Sequence, residues 1–394
     1  MEKRRNRSLA PTLLLAMTHS THDLYLPVLM ALMPLLISKL GLTHTQAGGL
    51  VAAYNLSKVV GQPVAGFFVD RTGWLGFTIL AVPLTGLLMS SIGCWPSYFM
   101  VAAAVALGNL SSAVFHPQAI ALSSVLGGGR RGLTMGVFNV SGSLGIAFGP
   151  VLVLGVVGLY GLDRSYLAAV PALLFFPLLW KYAPWRMRLT VGDSRGRIPG
   201  VLRARWRPLL AVWMVCFLRS WAMMAFYSFL TVYLAGVRGW AMGPVKWAFF
   251  AYLLGEGAGS LLGGHLSDRW GRKAVVITGL LLAGPLTLAF LNTGGAPFWP
   301  LLVLGSMFLS VPLPVLVVMA QEVCPEAVGT ASGLMGTAEA AGGLLVAVTG
   351  ILADTYGLQS ALSVSAVSLV APLLVSLAIP GKARTGGQVN ARIG

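Results

Sequence analysis

Long apolar runs, separated by short polar or Gly- and Pro-containing breaks, occupy nearly the whole chain. They predict helical spans near 9–37, 45–67, 75–94, 97–124, 132–158 and 163–182, then near 207–235, 244–266, 274–292, 297–321, 328–353 and 358–379. A helix rising 1.5 Å per residue needs roughly 20 apolar residues to cross about 30 Å of hydrocarbon, and these runs suffice. One long polar stretch, Tyr182 to Trp206, interrupts the series with Pro184, Gly192, Gly196, Pro199 and a cluster of Arg residues. The pattern predicts an all-α membrane protein with twelve transmembrane helices in two six-helix bundles. Residues 1–182 form the first bundle, 183–206 a linker, 207–380 the second bundle and 381–394 a tail. The basic start, Met1 to Arg7, leads into an apolar run without a small-residue cleavage site, so it reads as the approach to the first helix.

Composition agrees: 56% hydrophobic and only 10% charged residues, with mean hydropathy +0.81. Soluble domains carry about 25% charged residues. The net charge of +16 raises the question of nucleic acid. With the N-terminus inside, however, 21 of the 27 Lys and Arg residues fall on the cytoplasmic side, four outside (Lys39, Arg164, Arg238, Lys246) and two within spans (Lys58, Arg219). That asymmetry is the positive-inside bias, which sets topology and leaves no need for a nucleic-acid partner. It predicts a multi-pass membrane protein with both termini cytoplasmic and the Arg-rich linker on the anionic leaflet. Cys94, Cys216 and Cys324 have no metal-like spacing.

One stretch occurs twice, about half a chain length apart. Gly66-x-x-x-Asp70-Arg71-x-Gly73 and Gly264-x-x-x-Asp268-Arg269-x-Gly271 each fall between two spans, and Arg272-Lys273 extend the second. Repetition at half-length implies two homologous halves. The motif resembles the loop between the second and third helices of each half of a major facilitator superfamily transporter. The resemblance narrows to the fosmidomycin resistance protein family through His19-Ser20-Thr21-His22-Asp23, Gln62-Pro63-Val64-x-Gly66, Ser111 to Pro117, Gly127 to Leu133, Ala320-Gln321-Glu322 and Gly329-x-x-Ser332-Gly333-Leu334. Gly145-x-x-x-Gly149-Pro150 is similar to the antiporter motif of drug/proton exchangers, without the glycine pair that usually follows. The resemblance implies a monomeric, cofactor-free, proton-coupled drug exporter. Gln118 stands where the family carries Glu, and the fourth helix lacks an intramembrane Arg.

An intramembrane charge costs about 2.5–3.5 kcal/mol on insertion scales, so each one marks a partner or a function. His19 and Asp23, at i and i+4, share a helical face. A carboxylate in low dielectric takes up a proton more readily, and a neighbouring His can relay it. The pair is therefore the leading proton-coupling candidate, against a purely structural hydrogen bond; Glu256 and Glu339 are further proton sites or partners of a buried cation. His22 lies one residue off that face. Arg219 suits a carboxylate or phosphonate substrate, or else an internal salt bridge with Asp23 or Glu339. Lys58, His22, His116 and Gln118 complete the substrate-site candidates; Lys58 has the alternative of snorkelling outward, and His116-Pro117 of bonding a carbonyl freed at a kink. Gly66, Asp70, Arg71, Gly73, Gly264, Asp268, Arg269, Gly271 and Arg272 are gating candidates that would lock the cytoplasmic ends. Gly145, Gly149 and Pro150 belong to the antiporter-like helix. Glu322 and Glu326 are placed to pair with the linker.

The leading reading is alternating-access export of a small anionic or amphiphilic compound in exchange for protons. Proton- or ion-coupled import of an organic anion is the second. A divalent-metal transporter using His19, His22, Asp23 and His116 is the third, but three ligands on one helical turn are crowded, so no metal site is assigned. No motif with catalytic spacing and no phosphate-binding loop occurs, which argues against an enzyme or an ATP-driven pump.

Overall fold

A computed structural model describes residues 10–72, 77–127, 131–182, 200, 203–325 and 328–379. Every regular element among them is helical. We number the spans α1 to α12. In the first half, α1 comprises Ala10–Asp23 and Val28–Leu40, α2 is His44–Thr72, α3 Phe77–Ser90, α4 Tyr98–Gly127, α5 Arg131–Tyr160 and α6 Val170–Tyr182. In the second half, α7 is Trp206–Val232, α8 Met242–Trp270 and α9 Arg272–Asn292. There α10 comprises Phe298–Ser310 and Pro312–Val323, α11 Val328–Leu344 and Val346–Tyr356, and α12 Leu358–Val367 and Val370–Ala378. Nine described helices are long and apolar enough to cross a bilayer by composition alone. The shorter α3 and the more polar α2 and α8 complete the twelve.

The break in α1 follows from Pro27, which has no N–H to donate. Around it the backbone tightens into i→i+3 bonds: Tyr25 N–H to the His22 carbonyl at 3.2 Å and Leu26 N–H to the Asp23 carbonyl at 3.3 Å. Asp23 therefore ends a helix in mid-membrane. Two glycine stripes let backbones approach where hydrocarbon offers no hydrophobic drive for helix association. On α5, Gly145 lies directly against the Ser20 carbonyl and Gly149 against the Leu24 carbonyl, on either side of Asp23. On α8, Gly255, Gly259 and Gly263 lie against α10 at Ser306, Met307 and Val311, the last at the α10 break. Packing is thus what these glycines do, and on α5 it fixes the helix that carries the candidate proton site.

The halves meet along α2 with α11 and α5 with α8. Phe148 and Phe250 approach with centroids 5.2 Å apart, and a Cβ on Gly257 would lie 3.4 Å from Ser143 Cβ. At the end opposite the Asp-Arg-x-Gly turns the halves are joined. The Asp354 carboxylate accepts bonds from the N–H groups of His44 and Thr45, both at 2.8 Å, from Thr45 Oγ1 at 2.6 Å and from His44 Nδ1 at 2.8 Å. It caps the first turn of α2 from across the interface, where orphan donors and the helix dipole favour an anion. Thr231 Oγ1 on α7 adds a bond to the Met30 carbonyl at 2.5 Å.

At the motif end, Gly271 adopts φ +90°, a conformation that favours glycine, and so separates α8 from α9. Arg272 meets Asp268 at 2.5 Å, Glu322 at 3.2 Å and Ser267 Oγ at 2.7 Å, and Lys273 donates to the Leu377 and Ile379 carbonyls, both at 2.7 Å. Asp268 takes the Arg272 guanidinium, because the i,i+4 spacing across Gly271 brings the two together. Glu322 pairs with Arg272, since the end of α10 lies beside the α8–α9 turn, and Arg205 of the linker donates to the neighbouring Val323 carbonyl at 2.7 Å. Arg269 is exposed, and a Cβ at Gly264 would meet open space. In the first copy, Gly66, Asp70 and Arg71 lie in α2; their side chains, Gly73 and Glu326 lie outside the described residues, as do residues 183–199 and the tail.

Candidate functional site

The centre of the first half holds one carboxylate ringed by three imidazoles. Asp23 Oδ2 lies 3.1 Å from His19 Nε2, and Asp23 Oδ1 lies 2.8 Å from His22 Nδ1 and 3.7 Å from His116 Nε2. His19 comes from one turn earlier on α1, and His116 from α4. Phe138 on α5 stacks on His19 with centroids 3.8 Å apart, and Phe115 stacks on His22 at 4.0 Å. His116 stands edge-on to both rings, 5.5 Å from His19 and 5.3 Å from His22. Asp23, His19 and His22 are buried, whereas the His116 side chain is 24% exposed and forms the open edge of the cluster.

The hydrogen-bond partners constrain where hydrogens sit. His19 Nδ1 faces the Phe138 carbonyl at 2.8 Å, and a carbonyl only accepts, so that nitrogen carries a hydrogen. His19 Nε2 faces the carboxylate at 3.1 Å, an arrangement in which one hydrogen can be shared between the two side chains. His22 Nδ1 faces Asp23 Oδ1 at 2.8 Å, and its Nε2 lies 3.4 Å from Thr85 Oγ1, a hydroxyl that is also 3.4 Å from the Gly108 carbonyl. His22 therefore does reach Asp23, despite its offset from the i,i+4 face. The i→i+3 tightening before Pro27 turns the two neighbouring side chains toward each other.

The α5 backbone closes this pair from one side. A Cβ at Gly142 would lie 2.8 Å from both Asp23 Oδ2 and His19 Nε2. Gly142, Gly145 and Gly149 thus form one surface that hugs α1 from His19 to Leu24, and Pro150 lies inside α5 just beyond it.

The other candidates divide by position. Lys58 is half-buried on α2, with Nζ 4.9 Å from the Tyr54 ring centroid and within electrostatic reach of Asp23 and Glu339. Gln118 is buried one turn after Val114 on α4. Glu256 is half-buried on α8, within electrostatic reach of Arg219 and Glu339 and beside Tyr252. Glu339 is half-buried on α11.

Arg219 departs from expectation. It is 0% exposed, donating from Nη1 to the Leu309 carbonyl at 2.7 Å and lying 2.8 Å from Met223 Sδ through Nη2. It neither opens onto a cavity in this state nor joins the Asp23 cluster. Nearly uniform apolarity along α7 hides which face turns inward, so sequence periodicity could not place it. Conversely, Asp354 and the His44–Thr45 turn were not among the candidates. Their one signal was an acidic residue at the end of an apolar span.

Two bundles of membrane-crossing helices, with ionisable residues clustered near the interface between them, define a membrane transporter of the two-half kind. The chain belongs to the Major Facilitator Superfamily, whose family profile matches residues 13–247 and 212–394. It is 30% identical over 358 residues to the fosmidomycin resistance protein of Escherichia coli K12, covering 88% of this chain and 86% of that protein. It is 24% identical to the hexuronate transporter of the same strain, with 85% of each chain covered. Among solved structures, a bacterial homologue of the human lysosomal transporter Spinster, in an inward-facing and unoccupied conformation, superposes with a TM-score of 0.81 at 15% identity, over 95% of this chain and 98% of that one. These relatives are membrane transporters, not enzymes.

Proposed function

We propose that this protein is a proton-coupled exporter of a small anionic or amphiphilic compound, working by alternating access in a bacterial inner membrane. The observation that carries the reading is the buried His19–Asp23 contact of 3.1 Å at the end of a broken mid-membrane helix, which gives a place for an exchangeable proton. Loss of the proton leaves a buried carboxylate facing a lone pair. That raises the cost of the present packing against α5 and favours another arrangement of the halves. With the Asp-Arg-x-Gly turns cytoplasmic, the outer end is the one joined through Asp354, so this state delivers its proton inward and receives substrate from the cytoplasm.

The two ends divide the labour. Asp354 with His44 and Thr45 holds the outside closed in this state, while Asp268, Arg269, Gly271 and Arg272, with Gly264, are poised for the cytoplasmic closure of the opposite state. The first-copy residues Gly66, Asp70, Arg71 and Gly73 take the equivalent role by repetition. Lys58, within electrostatic reach of Asp23 and Glu339, is the cation assigned to an anionic substrate, with His116 and Gln118 on the neighbouring α4. Glu256 and Glu339 serve as the second half's acidic sites, and Arg219 supports them from within. The fosmidomycin resistance relative supports export of a compound of that kind.

Import of an organic anion is the second reading, favoured by Gln118 in place of an acidic residue and by similarity to a hexuronate transporter. Everted vesicles separate the two. Accumulation of fosmidomycin in vesicles with an acid interior supports export. Hexuronate uptake into intact cells driven by external acid, with no fosmidomycin accumulation in the vesicles, overturns it.

A further inference from the structure

We infer that His19, Asp23 and His116 form a binding site for a divalent transition-metal ion of the zinc class. The crowding that argues against three ligands on one helical turn does not apply, because the third comes from α4. His19 Nε2, an Asp23 carboxylate oxygen and His116 Nε2 lie within 4.8 Å of one another.

The edges of the triangle match a coordination shell. Bonds of about 2.0–2.2 Å to nitrogen and oxygen in a tetrahedral site place neighbouring ligand atoms about 3.3 Å apart. The observed contacts, 3.1 Å from His19 Nε2 to Asp23 Oδ2 and 3.7 Å from His116 Nε2 to Asp23 Oδ1, lie on either side of that value and suit an ion that engages both carboxylate oxygens. The second of these is too long for a hydrogen bond, so the His116 contact is not explained by one.

The outer partners also fit. Metal-bound imidazoles typically donate their other N–H to a carbonyl or carboxylate, which fixes the tautomer and aims the lone pair. His19 does this through Nδ1 to the Phe138 carbonyl at 2.8 Å, and His22 steadies the carboxylate through Asp23 Oδ1 at 2.8 Å. Phe115 and Phe138 wall the cluster with rings, and His116, 24% exposed, is its least buried edge, the side from which an ion would enter. Two imidazoles and one carboxylate suit zinc or cobalt rather than magnesium or calcium. Because metal ligands must be deprotonated, binding displaces the hydrogen shared between His19 and Asp23 and is antagonistic to proton loading. Lys58, within electrostatic reach of Asp23, opposes the added charge.

The test is titration of the purified full-length protein in nanodiscs with zinc, and with cobalt as a spectroscopic probe. The expected result is one saturable ion per chain, a four-coordinate cobalt spectrum, release of about one proton, and affinity that falls as pH is lowered. His116→Ala and His19→Ala should each weaken binding at least tenfold while the protein remains monodisperse, and Lys58→Met should tighten it. Absence of saturable binding overturns the proposal. So does binding that survives both His substitutions, or that is lost instead on His44→Ala at the surface. Binding with the expected ligands in a protein whose Asp23→Asn variant still couples transport to protons would leave the metal site standing and remove the proton reading. No binding together with lost coupling in Asp23→Asn would do the reverse.

Discussion

His19 and Asp23 face each other across one helical turn at 3.1 Å while the second nitrogen of His19 is held by the Phe138 carbonyl of α5 at 2.8 Å. A single ring therefore ties the charge state of α1 to the position of α5. On the proposed proton-coupled reading, loss of the proton shared by the two side chains weakens that link.

Gly142 tests how tight the link is. Its Cβ position lies 2.8 Å from both Asp23 Oδ2 and His19 Nε2, so Gly142→Ala must push the pair apart or displace α5. We expect a destabilisation of about 1–3 kcal/mol, typical of overpacking, with loss of proton-driven transport. Thermal melting and vesicle flux measured on the same preparation check both. Unchanged flux would mean that the pair tolerates separation.

The outer latch makes a second prediction. Asp354 accepts four hydrogen bonds from the first turn of α2, and bonds to a charged acceptor contribute about 1.5–3 kcal/mol each when well shielded. The site is partly open to solvent, so a smaller net effect is expected. Asp354→Ala should shift the population toward the outward-open state by about tenfold, equivalent to about 1.4 kcal/mol. Spin-label distances between the α1–α2 and α11–α12 turns report this directly. An unchanged distance distribution contradicts the latch.

Arg272 should matter to rate more than to stability. It holds Asp268 and Glu322 together at the exposed end of α8, where ion pairs contribute at most about 1 kcal/mol. Arg272→Ala should leave the melting temperature nearly unchanged but slow transport severalfold. Flux equal to wild type would reduce the second motif to a helix cap.

Arg219 is expected to behave as a buried support. Arg219→Ala removes a fully enclosed side chain and orphans the Leu309 carbonyl, so a loss of about 2–5 kcal/mol is expected in thermal or denaturant unfolding. Full stability with selective loss of anionic substrates would show instead that the guanidinium reaches the cavity in another state.

The sequence made the spans, the doubled Asp-Arg-x-Gly turn and the His19–Asp23 spacing visible, because each is a local signal: an apolar run, a repeat, an i,i+4 pair. What it could not show was tertiary. His116 joins Asp23 only through the packing of α4 on α1, and His44 meets Asp354 from 310 residues away. His22 needed the backbone tightening before Pro27, whose proline was in plain view but whose effect on side-chain direction was not. Arg219 sits on a helix apolar all round, where hydropathy carries no information about facing.

The most direct test of the central claim follows the proton in everted vesicles carrying either wild-type protein or Asp23→Asn, with equal insertion verified. Addition of fosmidomycin to vesicles with an acid interior should dissipate the pH gradient with wild-type protein and leave it intact with Asp23→Asn. Equal dissipation by the two would contradict the assignment of Asp23 as the residue that carries the exchanged proton.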